Sequence, residues 1–313
     1  MNNFIIGQYN FFDREKFKKD YREGFYGVEA CMLESEDDIS SLQAEAKKKN
    51  LNIGIHFPLR SRTLQTRDPL FLDLDADTRI QAFRAIEEEL EFIKEKNINP
   101  QYILFHYPKP VILSEAFDLS RWRFNYNSEY VYESEYPFDK LIEYSEFLLQ
   151  WLSEKSCEYN FTPVLEFDAI NKYISENTYL EALLDKYNSI KVCLDIGRLH
   201  VQDRIDPEFN ASDMLRRFSK YSEVIHLWHS KVGEVVEYGH FPLLPGLKPE
   251  DGWADVEAYF KVIRAENRNV KLLFEHRSDL ITDDELEACY HWINELLNRG
   301  SVYWSEKKWR NLD

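Results

Sequence analysis

The sequence predicts an α/β protein built as a single (β/α)8 barrel with long loops on one face, and three observations carry that prediction. Eight short apolar runs rich in β-branched and aromatic residues recur along the chain, each followed by a longer Glu- and Lys-rich segment with helical spacing. Strands alternating with helices imply a parallel sheet with right-handed crossovers, and eight repeats without a central break favour a closed barrel over a doubly wound sheet. The 313 residues hold only 10 Gly and 11 Pro and no Ser/Gly/Pro linker, so residues 1–313 read as one domain.

The first run is FIIGQY from Phe4; no GxGxxG follows it, which disfavours a dinucleotide site. The second is FYGVEACM from Phe25, and the segment after it ends on Lys47, Lys48 and Lys49, whose charges suit a helix C-terminus. Glu29 in this run is expected in the barrel mouth or in an ion pair on its floor. The third is LNIGIHF from Leu51, followed by Arg60, Arg62 and Arg67, read as solvated loop charge. A helix from Thr78 to Lys96 comes next, where Ile80, Phe83, Ile86, Leu90 and Ile93 recur at threes and fours and Glu87, Glu88 and Glu89 form a solvated face.

The fourth run, YILFHY from Tyr102, leads into a connection from Pro108 to Pro137 crowded with Phe117, Trp122, Phe124, Tyr126, Tyr130, Tyr132 and Tyr136. Those rings suit a lid that stacks on sugar faces, and equally a satellite core or a contact within a homo-oligomer. A helix from Leu141 to Tyr159 follows, then TPVLEF from Thr162, IKVCLDIG from Ile190 and EVIHLWH from Glu223. A second long connection, Ser230 to Trp253, contains His240 and the turn LLPGL. The eighth run is VKLLFEH from Val270, with a helix from Asp283 to Leu297 behind it. The tail SVYWSEKKWRNLD is expected to pack on the barrel or on a neighbouring subunit.

Charge narrows the partners. With 39 Lys+Arg against 56 Asp+Glu the net charge is −17, which repels DNA, RNA and anionic lipid. No apolar run reaches the ~18 residues of a membrane span, and the opening MNNFIIGQYNFFDREKFKKD shows no basic start before a long apolar core. Cys31, Cys157, Cys193 and Cys289 lack CxxC spacing, so neither a zinc knuckle nor a disulfide framework is indicated, and a cytoplasmic location is the expectation.

The chemistry sits at the strand ends. In a closed barrel the C-terminal ends of the strands share one mouth, and runs three to eight end on His56, His106, Glu166, Asp195, His226 and Glu275. Each lies in an otherwise apolar stretch (GIHF, LFHY, VLEF, CLDI, VIHL, LFEH), where a charge is costly unless paired or bound to a metal. One such residue alone reads as a satisfied core histidine or a helix cap; six on consecutive strands do not. Two Glu, one Asp and one His make an oxygen-rich set suited to Mn²⁺, Mg²⁺, Co²⁺ or Zn²⁺.

In this order, with LEF around Glu166, LDIG around Asp195, IHL around His226, GHFPLLPG around His240 and FEH around Glu275, the chain resembles the xylose isomerase-like TIM barrels, which include sugar isomerases and epimerases and the endonuclease IV group. The resemblance implies one divalent metal held by Glu166, Asp195, His226 and Glu275. It also implies that Glu166 and Glu275 exchange a proton α to a carbonyl through an enediolate, with His56, His106, Arg198 and His240 on the substrate. The substrate class is then a small sugar or hydroxy-carbonyl. A three-zinc endonuclease would carry DxxH after the sixth strand and an Asp before the glycine turn after the seventh; this chain has Arg198 and Tyr238 there. His200, two positions on, substitutes only if the turn is rebuilt, and His229 is left outside the metal set. Arg198 cannot lose its proton beside a dication and suits a substrate hydroxyl, carboxylate or phosphate instead. His56 and His106 with Glu166 leave a second ion open.

The expected function is therefore a metal-dependent sugar isomerase or epimerase. An endonuclease IV-like phosphodiesterase is the first alternative, separated by metal stoichiometry and cleavage of abasic-site DNA. The second is a non-catalytic sugar-binding barrel, which would bind ligand without exchanging its α-hydrogen.

Overall fold

A computed structural model describes residues 1–61, 66–122 and 124–299; Arg62 and the aromatic tail lie outside the described residues. The strands are β1 (Phe4–Tyr9), β2 (Gly27–Cys31), β3 (Asn52–His56), β4 (Tyr102–Tyr107), β5 (Val111–Leu113), β6 (Tyr130–Tyr132), β7 (Thr162–Phe167), β8 (Lys191–Asp195), β9 (Ser222–Leu227), β10 (His229–Val232), β11 (Val236–Phe241) and β12 (Lys271–Phe274). Eight of them close a parallel barrel in the order β1, β12, β9, β8, β7, β4, β3, β2, and these are the eight runs read from the sequence. The four others form two-stranded sheets within the long connections, β5 with β6 and β10 with β11.

The helices are α1 (Arg14–Asp20), α2 (Glu36–Lys49), α3 (Ala76–Glu95), α4 (Phe138–Tyr159), α5 (Lys172–Ser175), α6 (Tyr179–Lys186), α7 (Ile196–Ile205), α8 (Ala211–Phe218), α9 (Val256–Glu266) and α10 (Asp283–Asn298). Their ends follow capping chemistry: Ser35 and Asp75 accept first-turn N–H groups of α2 and α3, Asn50 closes α2 at φ 54°, and Thr282 with Glu285 forms a capping box on α10. No helix among the described residues is long and apolar enough to cross a membrane.

In α3, Ala82, Ile86, Leu90 and Ile93 are buried as the periodicity requires. Ile80 is 55% exposed because it lies about 120° around the helix from Ile86. Glu89 corrects the solvated-face expectation: it falls on the inner side, is 1% exposed, and accepts from the backbone N (2.9 Å) and Nε (2.8 Å) of Arg60. Its neighbours Glu87 and Glu88 point outward by the same rotation.

Strand alternation positions the site. Ile5, Tyr102, Leu104, Val164, Cys193, Val224 and Leu273 form a separate apolar cluster inside the barrel. Two residues beyond Leu104, Val164, Cys193, Val224 and Leu273 come His106, Glu166, Asp195, His226 and Glu275, so a period of two lifts each polar group onto the layer above. Glu29 also faces inward, fully buried, and accepts from the Tyr102 hydroxyl at 2.7 Å. Gly54 makes room for that ring: a Cβ there would lie 2.3 Å from Tyr102 Cζ.

The aromatic connection is chiefly a satellite core. Val111, Leu113, Phe117 and Trp122 cluster with Ala169, Val201, Ile205, Trp228 and Val232, whereas Tyr126 is 53% exposed.

Candidate functional site: a four-residue centre in the barrel mouth

Glu166, Asp195, His226 and Glu275 come from adjacent strands, and one ligand atom from each lies within 4.8 Å of the others. His226 Nδ1 is 3.0 Å from Glu166 Oε1 and 3.3 Å from Glu275 Oε2. Its other nitrogen, Nε2, is 3.5 Å from Glu29 Oε2. Burial opposes a charged imidazole here, but Cys193, Glu166 and Glu29 hold its pKa well above the ordinary value. The same partnership keeps the carboxylates ionised against burial: Glu166 is held well below the usual range and Glu275 at about 2.

Asp195 ends β8 and caps α7. Its Oδ1 accepts from Gly197 N (2.8 Å) and Arg198 N (3.0 Å), and its Oδ2 accepts from Trp228 Nε1 (2.8 Å). Burial raises its pKa to about 6; Arg198 opposes the shift, while Glu166 and Glu275 add to it. The residues fit a divalent cation. Glu166 Oε2 and both His226 nitrogens are buried without an aligned hydrogen bond, and the two Glu, one Asp and one His are a donor set that divalent ions take.

His56 and His106 sit beside Glu166. Their Nε2 atoms are 3.1 Å apart, and His106 Nε2 is 3.0 Å from Glu166 Oε2. Arg67 corrects the solvated-charge expectation, for its Nη2 lies 2.8 Å from His56 Nε2. That guanidinium opposes a second dication at the trio, because a fixed positive charge already occupies the nitrogen's lone-pair side. Burial and then Arg67 lower the His56 pKa; burial would lower that of His106 too, but Asp168 and Asp68 raise it.

Sequence reasoning missed a buried ion network on the same wall. Lys109, 2% exposed, places Nζ 2.8 Å from Asp68 Oδ2 and 2.5 Å from Asp168 Oδ2. His106 Nδ1 is hydrogen-bonded to Asp68 Oδ2 at 2.8 Å. Arg198 joins the network through Nη1, 2.8 Å from Asp168 Oδ1, with Nε 3.3 Å from Asp195 Oδ2. Asp168 and Trp228 had a legible signal, since each stands two residues beyond a strand-end ligand. Lys109 and Asp68 had none.

His240, at φ 56°, stacks on Trp228 with ring centroids 4.3 Å apart and is bonded through Nδ1 to the Glu275 carbonyl at 2.9 Å. It therefore braces Glu275 directly and Asp195 through Trp228. His229 turns to Trp253, 4.5 Å away, and stays outside the metal set. Trp228 is seated by Gly197, where a Cβ would fall 2.3 Å from the indole. Gly197→Ala is expected to destabilise the fold by about 1–3 kcal/mol through overpacking and to weaken metal binding by displacing the Asp195 partner. Gly239→Ala, with nothing within 4 Å of its Cβ, should change neither in urea melts and metal titrations.

His200 does not reach the centre. Its Nε2 is bonded to the Gly252 carbonyl at 3.0 Å, and burial depresses its pKa to about 4. The unfolded chain therefore takes up this proton first as pH falls from about 6.5. Stability is expected to drop by on the order of 3 kcal/mol between about pH 6.5 and 4, and His200→Asn should flatten that limb in denaturation midpoints measured across pH.

Neither a protein-family model nor a curated protein matches the chain by sequence. Solved structures do match by shape. A 3-keto-D-glucoside 4-epimerase from E. coli is 17% identical with a TM-score of 0.56, over 94% of this chain and 98% of that one. IolI protein with a bound zinc atom is 10% identical with a TM-score of 0.58, over 94% and 98%. An AP endonuclease, family 2, from Brucella melitensis is 15% identical with a TM-score of 0.55, over 91% and 97%. By shape, the chain thus has a TIM-barrel fold like that of these structures, which include sugar epimerases, an AP endonuclease and a protein described as a xylose isomerase-like TIM barrel fusion.

Proposed function

We propose that the chain is a divalent-metal-dependent isomerase or epimerase acting on a small sugar or hydroxy-carbonyl. The observation that carries this reading is the convergence of Glu166, Asp195, His226 and Glu275 within 4.8 Å. Those four would hold the ion. When bound, it would polarise a substrate carbonyl and favour negative charge on its oxygen.

The remaining work falls to side chains. Glu166 and Glu275 are ionised and so are ready to accept a proton, but carboxylates held this low are weak bases. They suit a C–H bond already acidified by the adjacent polarised carbonyl. His226 orients both carboxylates through one nitrogen, and His106 holds the second oxygen of Glu166. Trp228 and the α7 N-terminus fix Asp195. Arg198, His56, His106 and His240 would meet the substrate hydroxyls.

A zinc titration combined with a solvent-deuterium exchange experiment tests this. One ion per chain, with deuterium from solvent entering the α-position of a bound sugar, is the expected result. Two or more ions with cleavage of abasic-site DNA would replace this reading with the endonuclease one, and binding without exchange with a non-catalytic barrel. The charge of −17 and the guanidinium of Arg198 at a second-metal position favour the sugar reading.

A further inference from the structure

Three cations line one cleft beside the centre, Arg67, Lys109 and Arg198, and a cleft with three cations ordinarily invites a phosphate or carboxylate. Here each charge is already answered. Lys109 lies between Asp68 and Asp168, Arg198 lies on Asp168, and Arg67 has Asp68 Oδ1 3.9 Å from its Nε. A third carboxylate, Glu129, stands in the same wall. The three cations thus share two carboxylates, Asp68 and Asp168, with His106 on the same wall bonded to Asp68 and Glu129 accepting from the Asn125 backbone, and the next layer inward holds Glu166, Asp195 and Glu275. A phosphate dianion entering this cleft would have to compete with Asp68 and Asp168 for cations they already hold, and the −17 of the whole chain would repel it on approach.

A hydroxyl group fits such a wall better, because it donates to the carboxylates and accepts from the guanidinium and ammonium groups. Trp122 and Phe124 complete the cleft with apolar ring surface for CH groups, and Trp122 is braced edge-on by Phe117 at 5.4 Å. We propose that this cleft is the subsite for the uncharged, hydroxyl-bearing end of the substrate and that it discriminates against phosphate monoesters. The inference rests on the isomerase reading and names the substrate class for it: free sugars.

The test uses the full chain loaded with zinc. D-fructose, D-tagatose and D-psicose are titrated against their 6-phosphates and inorganic phosphate, with calorimetry as the readout, and deuterium incorporation is followed in parallel. At least one free ketohexose is expected to bind at least about tenfold tighter than its 6-phosphate and than inorganic phosphate. Asp168→Asn removes one carboxylate shared by two cations, and it should narrow or reverse that preference. Glu129→Gln should move it the same way if the Asp168 variant fails to fold by near-UV circular dichroism. Tighter binding of the phosphates to the wild type, no binding of any free ketohexose, or an unchanged preference in the folded variants would each overturn the subsite. Exchange into phosphate esters would sink the subsite and keep the isomerase reading; free-sugar binding without exchange would do the reverse.

Discussion

Glu166→Gln is expected to lower the rate of α-hydrogen exchange on a bound sugar by about 10²–10⁴, and Glu275→Gln to do the same. Both residues are proposed as metal ligands and as proton carriers, so the rate has to be read at saturating metal with the bound ion counted. Their surroundings differ. Glu166 is 1% exposed and is approached by His106 and His226, whereas the Glu275 side chain is 15% exposed and is approached by His226. Glu275 is therefore the carboxylate that trades its proton with solvent more readily. In Glu275→Gln, exchange with deuterated water should fall more than conversion of unlabelled sugar. The double variant should be little worse than either single one, because the two act on one proton transfer and their losses do not add. Full turnover in either metal-loaded variant would remove that residue from the proton-transfer role.

The fold was legible because the barrel imposes two periods on the sequence. Strand alternation put Leu104 below His106 and Val164 below Glu166, and helical spacing put Ile86, Leu90 and Ile93 on one stripe. Strand-end imidazoles and carboxylates in apolar runs are conspicuous, so His56, His106, Glu166, Asp195, His226 and Glu275 all came forward. What lay in loops did not. Lys109 and Asp68 flank no periodic pattern, and a charged residue beside proline reads as surface whether or not its partner is buried. Arg67 was taken for solvated charge as a loop residue, and Glu89 as one of three consecutive glutamates, although the helical period places it on the stripe of Ile86, Leu90 and Ile93. The loop paths that bring Arg67 to His56 and Arg60 to Glu89 are encoded by no local period.

Lys109→Met is the substitution expected to cost most in stability, about 3–5 kcal/mol, because it strands two buried carboxylates. Lys109 Nζ is within 2.8 Å of both Asp68 and Asp168, and all three side chains are nearly inaccessible to water. Removing the ammonium leaves Asp68 to His106 and Arg67, and Asp168 to Arg198 and the more distant His106. Burial alone would raise the pKa of either carboxyl; the network instead holds Asp68 well below its ordinary value and Asp168 low as well. In the variant, at least one of the pair should take up a proton near neutrality, so stability should rise as pH falls through that range, opposite to the His200 limb. Adding Asp68→Asn to Lys109→Met should restore part of the loss, with a coupling energy of about 1–3 kcal/mol in a double-mutant cycle of urea midpoints. A single Lys109→Met variant within about 1 kcal/mol of wild type at pH 7 would mean that the cluster is hydrated. Its charges would then be solvated, and the case for a pre-neutralised wall beside the proposed metal site would weaken with it.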